Sequence, residues 1–142
     1  MKLLAVNYHY FREEKYDAGI YPLSKKSLQK QIDDLAKEYT FISQSEISKL
    51  IQQQNFTSKN YCVITIDDGL KEQMDSFDFL KQLGVPCILY VPTFPIQFKK
   101  VLDVHKLHFV RTKMNDQELY DLLDEKYVIN SFEFIQEALV NQ

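Results

Sequence analysis

The chain has 142 residues, and its 17 basic and 20 acidic side chains give a formal net charge of −3. Hydrophobic residues make up 45% of the composition, with three glycines and four prolines, which is typical of one ordinary soluble domain and excludes a disordered or collagen-like chain. The mild acidity disfavours binding to nucleic acid or to a membrane surface. No apolar run approaches the roughly 18 residues of a membrane span, and the N-terminal run turns polar too early for a signal peptide. We therefore expect a cytoplasmic protein without a membrane span.

Residues 2–8 form a short apolar run, which predicts a strand buried on both faces with His9 at its C-terminal end. The next segment, residues 24–39, repeats its apolar residues at helical spacing behind Ser24, which is placed to cap the first turn. The chain therefore begins with a strand followed by an amphipathic helix.

Residues 40–42 predict a brief second strand, and Ser43 and Glu46 then match a capping box at the start of a helix. We expect a polar loop over residues 52–60. The apolar stripe of this second helix is predicted at Ile47, Leu50 and Ile51.

Residues 61–66 (YCVITI) are the strongest strand candidate, because they are rich in β-branched residues. They are followed by a predicted helix that Gly84 would end in a left-handed conformation, and by a further strand at residues 87–91. Cys62 and Cys87 lie inside these strands, where they are expected to serve as small hydrophobic residues and not as a disulfide framework or a cysteine zinc site. The buried stripe of the helix is predicted at Met74, Phe77, Leu80 and Leu83.

The alternation of strands and helices predicts an α/β fold with parallel strands. After Pro92 the pattern becomes helical, with predicted helices over residues 101–113, 116–126 and 131–140. Without repeats or linker-like segments, residues 1–142 are assigned to a single domain.

The clearest chemical signal is the acidic pair Asp67-Asp68, which comes directly before Gly69 at the end of the predicted central strand. Parallel α/β sheets bind ligands at the carboxyl ends of their strands. Two carboxylates this close do not ionise cheaply together, so a cation is expected to neutralise one and leave the other available as a base. A helix-capping turn with solvated acids explains the same pair equally well.

With this pair in place, the sequence resembles the polysaccharide deacetylase family of carbohydrate esterases. The resemblance lies in Thr65-Ile66-Asp67-Asp68-Gly69, in Tyr8-His9 at the end of the first strand, in the segment 21–43, and in the run Leu83 to Val91. These features occur in one order over about two thirds of the chain. Ile66 stands where the family has an aromatic residue.

The resemblance implies that Asp67 is the catalytic base and that Asp68 binds a divalent metal ion, expected to be zinc, together with two histidines. His105 and His108 are the candidates for these ligands, although their i, i+3 spacing departs from the family's i, i+4 pair and they occur later in the chain. Histidines three apart still share one face of a helix. The alternative is that both are solvated histidines on a helix surface, or that one of them packs against the apolar body of the protein. His9, which follows the first strand at the same sheet edge, is assigned to substrate binding or, alternatively, to a structural hydrogen bond.

Four predicted strands are too few to close a (β/α) barrel, which typically needs about 200 residues or more. The expected architecture is a partial or truncated (β/α) barrel with a helical C-terminal third. The family's later motifs, which support the base and supply a general acid, have no counterpart before Gln142. Residues 1–142 are therefore interpreted either as the N-terminal portion of a longer or split polypeptide or as a shortened relative.

Two functions of different classes are consistent with these observations. The first is a metal-dependent hydrolase that removes an N-acyl group from an amino sugar or a polysaccharide precursor. The second is a catalytically incomplete α/β module that binds a carbohydrate or a partner chain. In either case an unpaired sheet edge predicts a homo-oligomer or pairing with a complementary C-terminal chain. A phosphate-binding protein is disfavoured because no glycine-rich loop opens a helix.

Overall fold

The computed structural model describes residues 2–16, 18–54 and 58–127. Its internal contacts divide the chain into two compact units. The first joins residues 1–15 to residues 21–100, and the second joins residues 16–20 to the segment that begins at Val101. The assignment of the whole chain to one domain stays a prediction.

The first unit alternates strands and helices, as the hydrophobic patterning predicts. Its elements are β1 (Leu3–Tyr8), α1 (Lys25–Ala36), β2 (Thr40–Phe41), α2 (Gln44–Gln53), β3 (Tyr61–Ile66), α3 (Gln73–Gln82), β4 (Cys87–Leu89) and α4 (Thr93–Phe98). The described part of the second unit contains α5 (Asp103–Arg111) and α6 (Asp116–Tyr127). The short helix α4 was not predicted, and the helix predicted over 131–140 lies outside the described residues.

The strands form one parallel sheet with β3 at its centre. All six residues of β1 pair with β3, from Leu3 opposite Tyr61 to Tyr8 opposite Ile66. Because β1 occupies one edge of β3 throughout, β2 and β4 share the other edge, at the beginning and the end of β3 respectively. The α/β class and the parallel pairing are therefore confirmed. Among the described strands β1 pairs with β3 alone, so these strands do not close a barrel.

The core lies around β3 and is covered mainly by α1 and α3. Its most deeply buried side chains, each with no exposed surface, are Leu28, Cys62, Ile64, Ile66 and Leu80. The prediction that β1 is buried on both faces is wrong, since Leu3 is 55% exposed and its side chains alternate between exposed and covered positions. The alternation means that one face of β1 is covered and the other is exposed.

Two predicted apolar stripes are partly wrong. On α3, Leu80 is buried, whereas Met74 and Leu83 are exposed and Phe79 packs against the core in their place. On α2, Ile51 is 61% exposed. A phase error of one residue on a short helix is enough to move a side chain from the covered face to solvent.

The predicted caps at Ser24, Ser43 and Gly84 are confirmed. The Ser24 side chain accepts a hydrogen bond from the Ser27 N–H at the start of α1, and both reciprocal bonds of the capping box on α2 are present. Gly84 has φ +70° after α3, and the Val85 N–H donates to the Leu80 carbonyl 2.9 Å away. None of the helices in the described ranges has the length and apolar character needed to cross a membrane.

Candidate active site

The candidate site lies at the carboxyl ends of β1 and β3. The parallel register places Asn7 opposite Thr65 and Tyr8 opposite Ile66. The residues that follow each strand, His9 and Asp67, therefore emerge side by side. This is the edge at which parallel α/β sheets bind ligands.

A tight turn carries the acidic pair away from β3. Asp68 has φ +77° and Gly69 has φ +65°, so two consecutive residues are left-handed. Aspartate tolerates this conformation better than most residues, and glycine adopts it freely. A Cβ on Gly69 would lie 2.9 Å from Cγ1 of Val91, so the glycine also allows a close approach of the segment after β4.

Three potential ligand groups meet at this turn: the imidazole of His9 and the carboxylates of Asp67 and Asp68 each offer an atom within 4.8 Å of the others. Nδ1 of His9 lies 3.2 Å from Oδ2 of Asp68 with hydrogen-bond geometry. The same nitrogen lies 2.6 Å from Oδ1 of Asp67 without that geometry, so Oδ1 is a buried oxygen with no hydrogen bond. The side chains of Asp67 and Asp68 are 34% and 19% exposed, and that of His9 is 51% exposed. The cluster is therefore open to a solute on one side.

The other oxygen of Asp67 is held by a side chain from β1. Nδ2 of Asn7 donates to Oδ2 of Asp67 over 3.0 Å, and the Thr65 hydroxyl donates to Oδ1 of Asn7 over 2.8 Å. Nδ2 of Asn7 also lies 3.3 Å from Nε2 of His9. A chain of hydrogen bonds thus runs from Thr65 through Asn7 to the acidic residue and the imidazole.

Gln73 fixes the backbone beneath the cluster and is 1% exposed. Its Nε2 donates to the carbonyl of His9 over 2.7 Å and to the carbonyl of Asp67, and its Oε1 accepts from the Leu70 N–H over 2.9 Å. One side chain on α3 therefore holds the end of β1, the end of β3 and the turn between β3 and α3.

The neighbouring residue Glu72 adds a second tie between α3 and the segment after β1. Its carboxylate accepts from Nε of Arg12 over 2.6 Å and from the Phe11 N–H over 3.3 Å. Burial, followed by the negative charges of Asp68 and Glu72, raises the pKa of Tyr10, whereas the charge of Arg12 lowers it. The pKa of Tyr8 is raised mainly by burial. These tyrosines are therefore neutral donors or acceptors near pH 7.

The structure brings together three of the five site residues predicted from sequence, namely His9, Asp67 and Asp68. The other two, His105 and His108, lie on α5 in the second unit. Their assignment as ligands beside Asp68 stays a prediction, as do the base role of Asp67 and the identity of the metal.

The sequence analysis assigned no site role to Asn7, Thr65 or Gln73. Asn7 and Thr65 carried a usable signal, because each is a polar residue inside an otherwise apolar strand and each lies two residues before a site residue. No sequence signal pointed to Gln73, because a glutamine at the start of a helix is ordinarily a surface residue.

Comparison of the chain with protein-family models, with curated proteins and with solved structures finds no match.

Proposed function

We propose that this chain is a metal-dependent hydrolase of the polysaccharide deacetylase type, which removes an N-acyl group from an amino sugar. The single observation that carries the proposal is the convergence of His9, Asp67 and Asp68 at the carboxyl ends of β1 and β3. The resemblance supplies the reaction class, and the geometry supports it with two adjacent carboxylates in different surroundings.

The donor groups are of a kind that suits a divalent cation. Carboxylate oxygens and imidazole nitrogens both bind zinc. Asp68 would supply the carboxylate ligand, and His105 and His108 are the predicted histidine ligands. A bound divalent ion would supply Lewis acidity that polarises the acyl carbonyl and acidifies water.

Asp67 is suited to the role of general base because its two oxygens are not equivalent. Asn7 donates to Oδ2 and Nδ1 of His9 lies 2.6 Å from Oδ1, so the carboxylate is held in one orientation as a proton acceptor. Orientation by a neighbouring amide keeps the proton acceptor in one position while the substrate is bound.

The left-handed turn at Asp68 also contributes to the division of roles. Since Asp68 reverses direction directly after Asp67, the two carboxylates reach His9 from different backbone positions and do not stack as neighbours along a strand. One carboxylate can then face a cation while the other faces water.

The test is release of free amine from N-acetylglucosamine and its short oligomers by the purified chain, with zinc added or with a chelator. We expect amine release that requires the metal and falls by at least about a hundredfold in Asp67→Asn, since loss of a general base typically costs 10²- to 10⁴-fold. Glu38→Gln, at an exposed carboxylate outside the site, serves as the control and should retain full activity. If none of these substrates released amine in a metal-dependent way, the hydrolase proposal would be overturned and a binding module without catalysis would be favoured.

A further inference from the structure

The orientation of the Asn7 amide is fixed by its two neighbours. An ionised carboxylate only accepts hydrogen bonds, so the atom 3.0 Å from Oδ2 of Asp67 must be the amide nitrogen of Asn7. The Thr65 hydroxyl, 2.8 Å from the other end of the amide, then donates to Oδ1. Both contacts are satisfied in the same orientation and in no other.

This orientation determines what Nε2 of His9 can do. The nitrogen lies 3.3 Å from Nδ2 of Asn7, which is a donor only, so Nε2 must accept. In a neutral imidazole the proton then resides on Nδ1. Nδ1 faces Oδ2 of Asp68 at 3.2 Å and Oδ1 of Asp67 at 2.6 Å, and both of these oxygens are acceptors. The contacts of Nε2 and the contacts of Nδ1 therefore each require, independently, the tautomer with the proton on Nδ1.

We propose that Asn7 is a positioning residue that fixes His9 in the Nδ1–H tautomer, so that His9 donates a hydrogen bond to the acidic pair and is not a metal ligand through that nitrogen. An imidazole that binds a metal presents a lone pair to it and donates its other ring N–H to an acceptor such as a carboxylate or a carbonyl. His9 has the opposite arrangement: its Nδ1–H points toward the acidic pair, and its Nε2 accepts from the amide of Asn7.

The arrangement gives His9 a definite task in the site. Two adjacent carboxylates repel each other, and an N–H donor placed between them lowers the cost of holding both charges at one turn. His9 therefore keeps the acidic pair assembled and oriented. Any contribution of His9 to catalysis rests on the proposed function. The assignment of its tautomer does not depend on that function.

The direct test is nitrogen NMR of the histidine rings in the chelator-treated, 15N-labelled chain at about pH 8, where an ordinary imidazole is neutral. The His9 signals are assigned from their loss in His9→Asn. We expect the chemical shifts of a protonated Nδ1 and an unprotonated Nε2. A protonated Nε2 in the native chain would overturn the proposal.

Asn7→Asp tests whether Asn7 selects the tautomer. The substitution replaces the donor with an acceptor, so Nε2 should shift to the value of a protonated nitrogen. Asn60→Asp is the matched control, because it makes the same chemical change near the opposite end of the β1–β3 pair, where Oδ1 of Asn60 accepts from the Lys2 N–H. It should leave the His9 ring signals unchanged. Unchanged ring signals in Asn7→Asp, with the amide signals of α1 intact, would also overturn the proposal.

Zinc titration of His9→Asn tests the second half of the proposal. Asparagine keeps an N–H donor near the position of Nδ1 but cannot replace an imidazole ligand, so zinc affinity should change by no more than about tenfold, the lower end of what loss of an outer partner costs. Loss of zinc binding in this variant would show that His9 is a ligand and would contradict the assignment. If the native chain itself bound no zinc, the proposed function would fail while the NMR result still decided the tautomer.

Discussion

At the scale of single residues, Gln73 joins three backbone segments of the site. Its amide satisfies two carbonyls and one N–H in a position that water does not reach. A buried polar group that loses its partner costs about 1–3 kcal/mol. We therefore expect the end of β1 and the turn after β3 to depend on this buried interaction.

Gln73→Leu is expected to lower the free energy of unfolding by about 2–4 kcal/mol, because it leaves three backbone groups without partners while keeping a similar volume. Urea denaturation followed by circular dichroism measures the change. Gln82→Leu, at an exposed position on the same helix, should change stability by less than about 0.5 kcal/mol. Equal stability of the two variants would show that Gln73 does not hold the site.

Gly69, which follows β3, and Gly84, which follows α3, allow the cost of left-handed backbone strain to be measured separately from the cost of a steric clash. Both have positive φ, but a Cβ on Gly69 would meet Val91 at 2.9 Å, whereas a Cβ on Gly84 would meet nothing within 4 Å. Gly84→Ala should therefore cost about 1–2 kcal/mol from left-handed strain alone. Gly69→Ala should cost more and should also disturb the acidic pair. Thermal unfolding of both variants measures the difference, and a larger loss at Gly84 would contradict this account.

At the scale of elements, α2 begins with a capping box that links its stability to pH. Hydrogen bonds from the Ser43 side chain and backbone lower the pKa of Glu46. A carboxyl whose pKa is lower in the folded state stabilises the fold above its unfolded pKa, and this contribution is lost as the pH falls through the folded pKa. The contribution is modest because Glu46 is exposed.

Glu46→Ala is expected to destabilise the chain at pH 7, where the carboxylate is charged and accepts both bonds. The difference from the native chain should shrink as the pH falls below about 4, the ordinary range of the carboxyl. Urea midpoints at pH 7 and pH 3 measure this, with the exposed Glu38→Ala as a control. A difference that grew on acidification would have the wrong sign and would exclude the capping box as its source.

The strands β3 and β4 carry the two free cysteines in the sheet. Burial raises the pKa of both the Cys62 and the Cys87 thiols, so the reactive thiolate is scarcer than in an ordinary cysteine. Alkylation by iodoacetamide at pH 8 should be slow in the folded chain and become fast in urea, as mass spectrometry would detect. Alkylation of Cys62 at the rate of a free thiol in the folded chain would contradict its complete burial.

The elements themselves were largely predictable from sequence, and the reasons are local. Hydrophobic patterning placed β1, β3 and α1 within a residue or a few at each end, and the serine caps and Gly84 marked helix boundaries through short-range hydrogen bonds. The covered face of α3 was not predictable, because Met74 and Phe79 are equally apolar and only the sheet decides which of them is buried. In the site, Asp67 and Asp68 were found from adjacent residues, whereas the Asn7–Asp67 hydrogen bond depends on the register of β1 and β3, whose paired residues are 58 apart in sequence.

At the scale of the whole molecule, the segment after β4 is unusually apolar for a surface. Ile96 is 69% exposed, and the rings of Phe94 and Phe98 lie 4.8 Å apart between their centroids. The other exposed apolar side chains of this segment are Tyr90 and Val91. Clustered exposed apolar side chains favour association.

We expect the purified chain to associate as its concentration rises, and Ile96→Lys to weaken that association. Sedimentation velocity measures both. Ile51→Lys is the matched control, because Ile51 is 61% exposed but belongs to α2, so the substitution should leave association unchanged. A concentration-independent monomer would contradict the association expected from these exposed apolar side chains.

The central claim is that Asp68 binds a divalent metal while Asp67 remains available as a base, and calorimetric titration with zinc tests it most directly. Asparagine tolerates the left-handed backbone at position 68, so Asp68→Asn removes the charge without adding strain. We predict that the native chain and Asp67→Asn each bind one equivalent of zinc and that Asp68→Asn loses most of this affinity. Zinc binding that is unaffected in Asp68→Asn, or lost equally in both variants, would contradict the account.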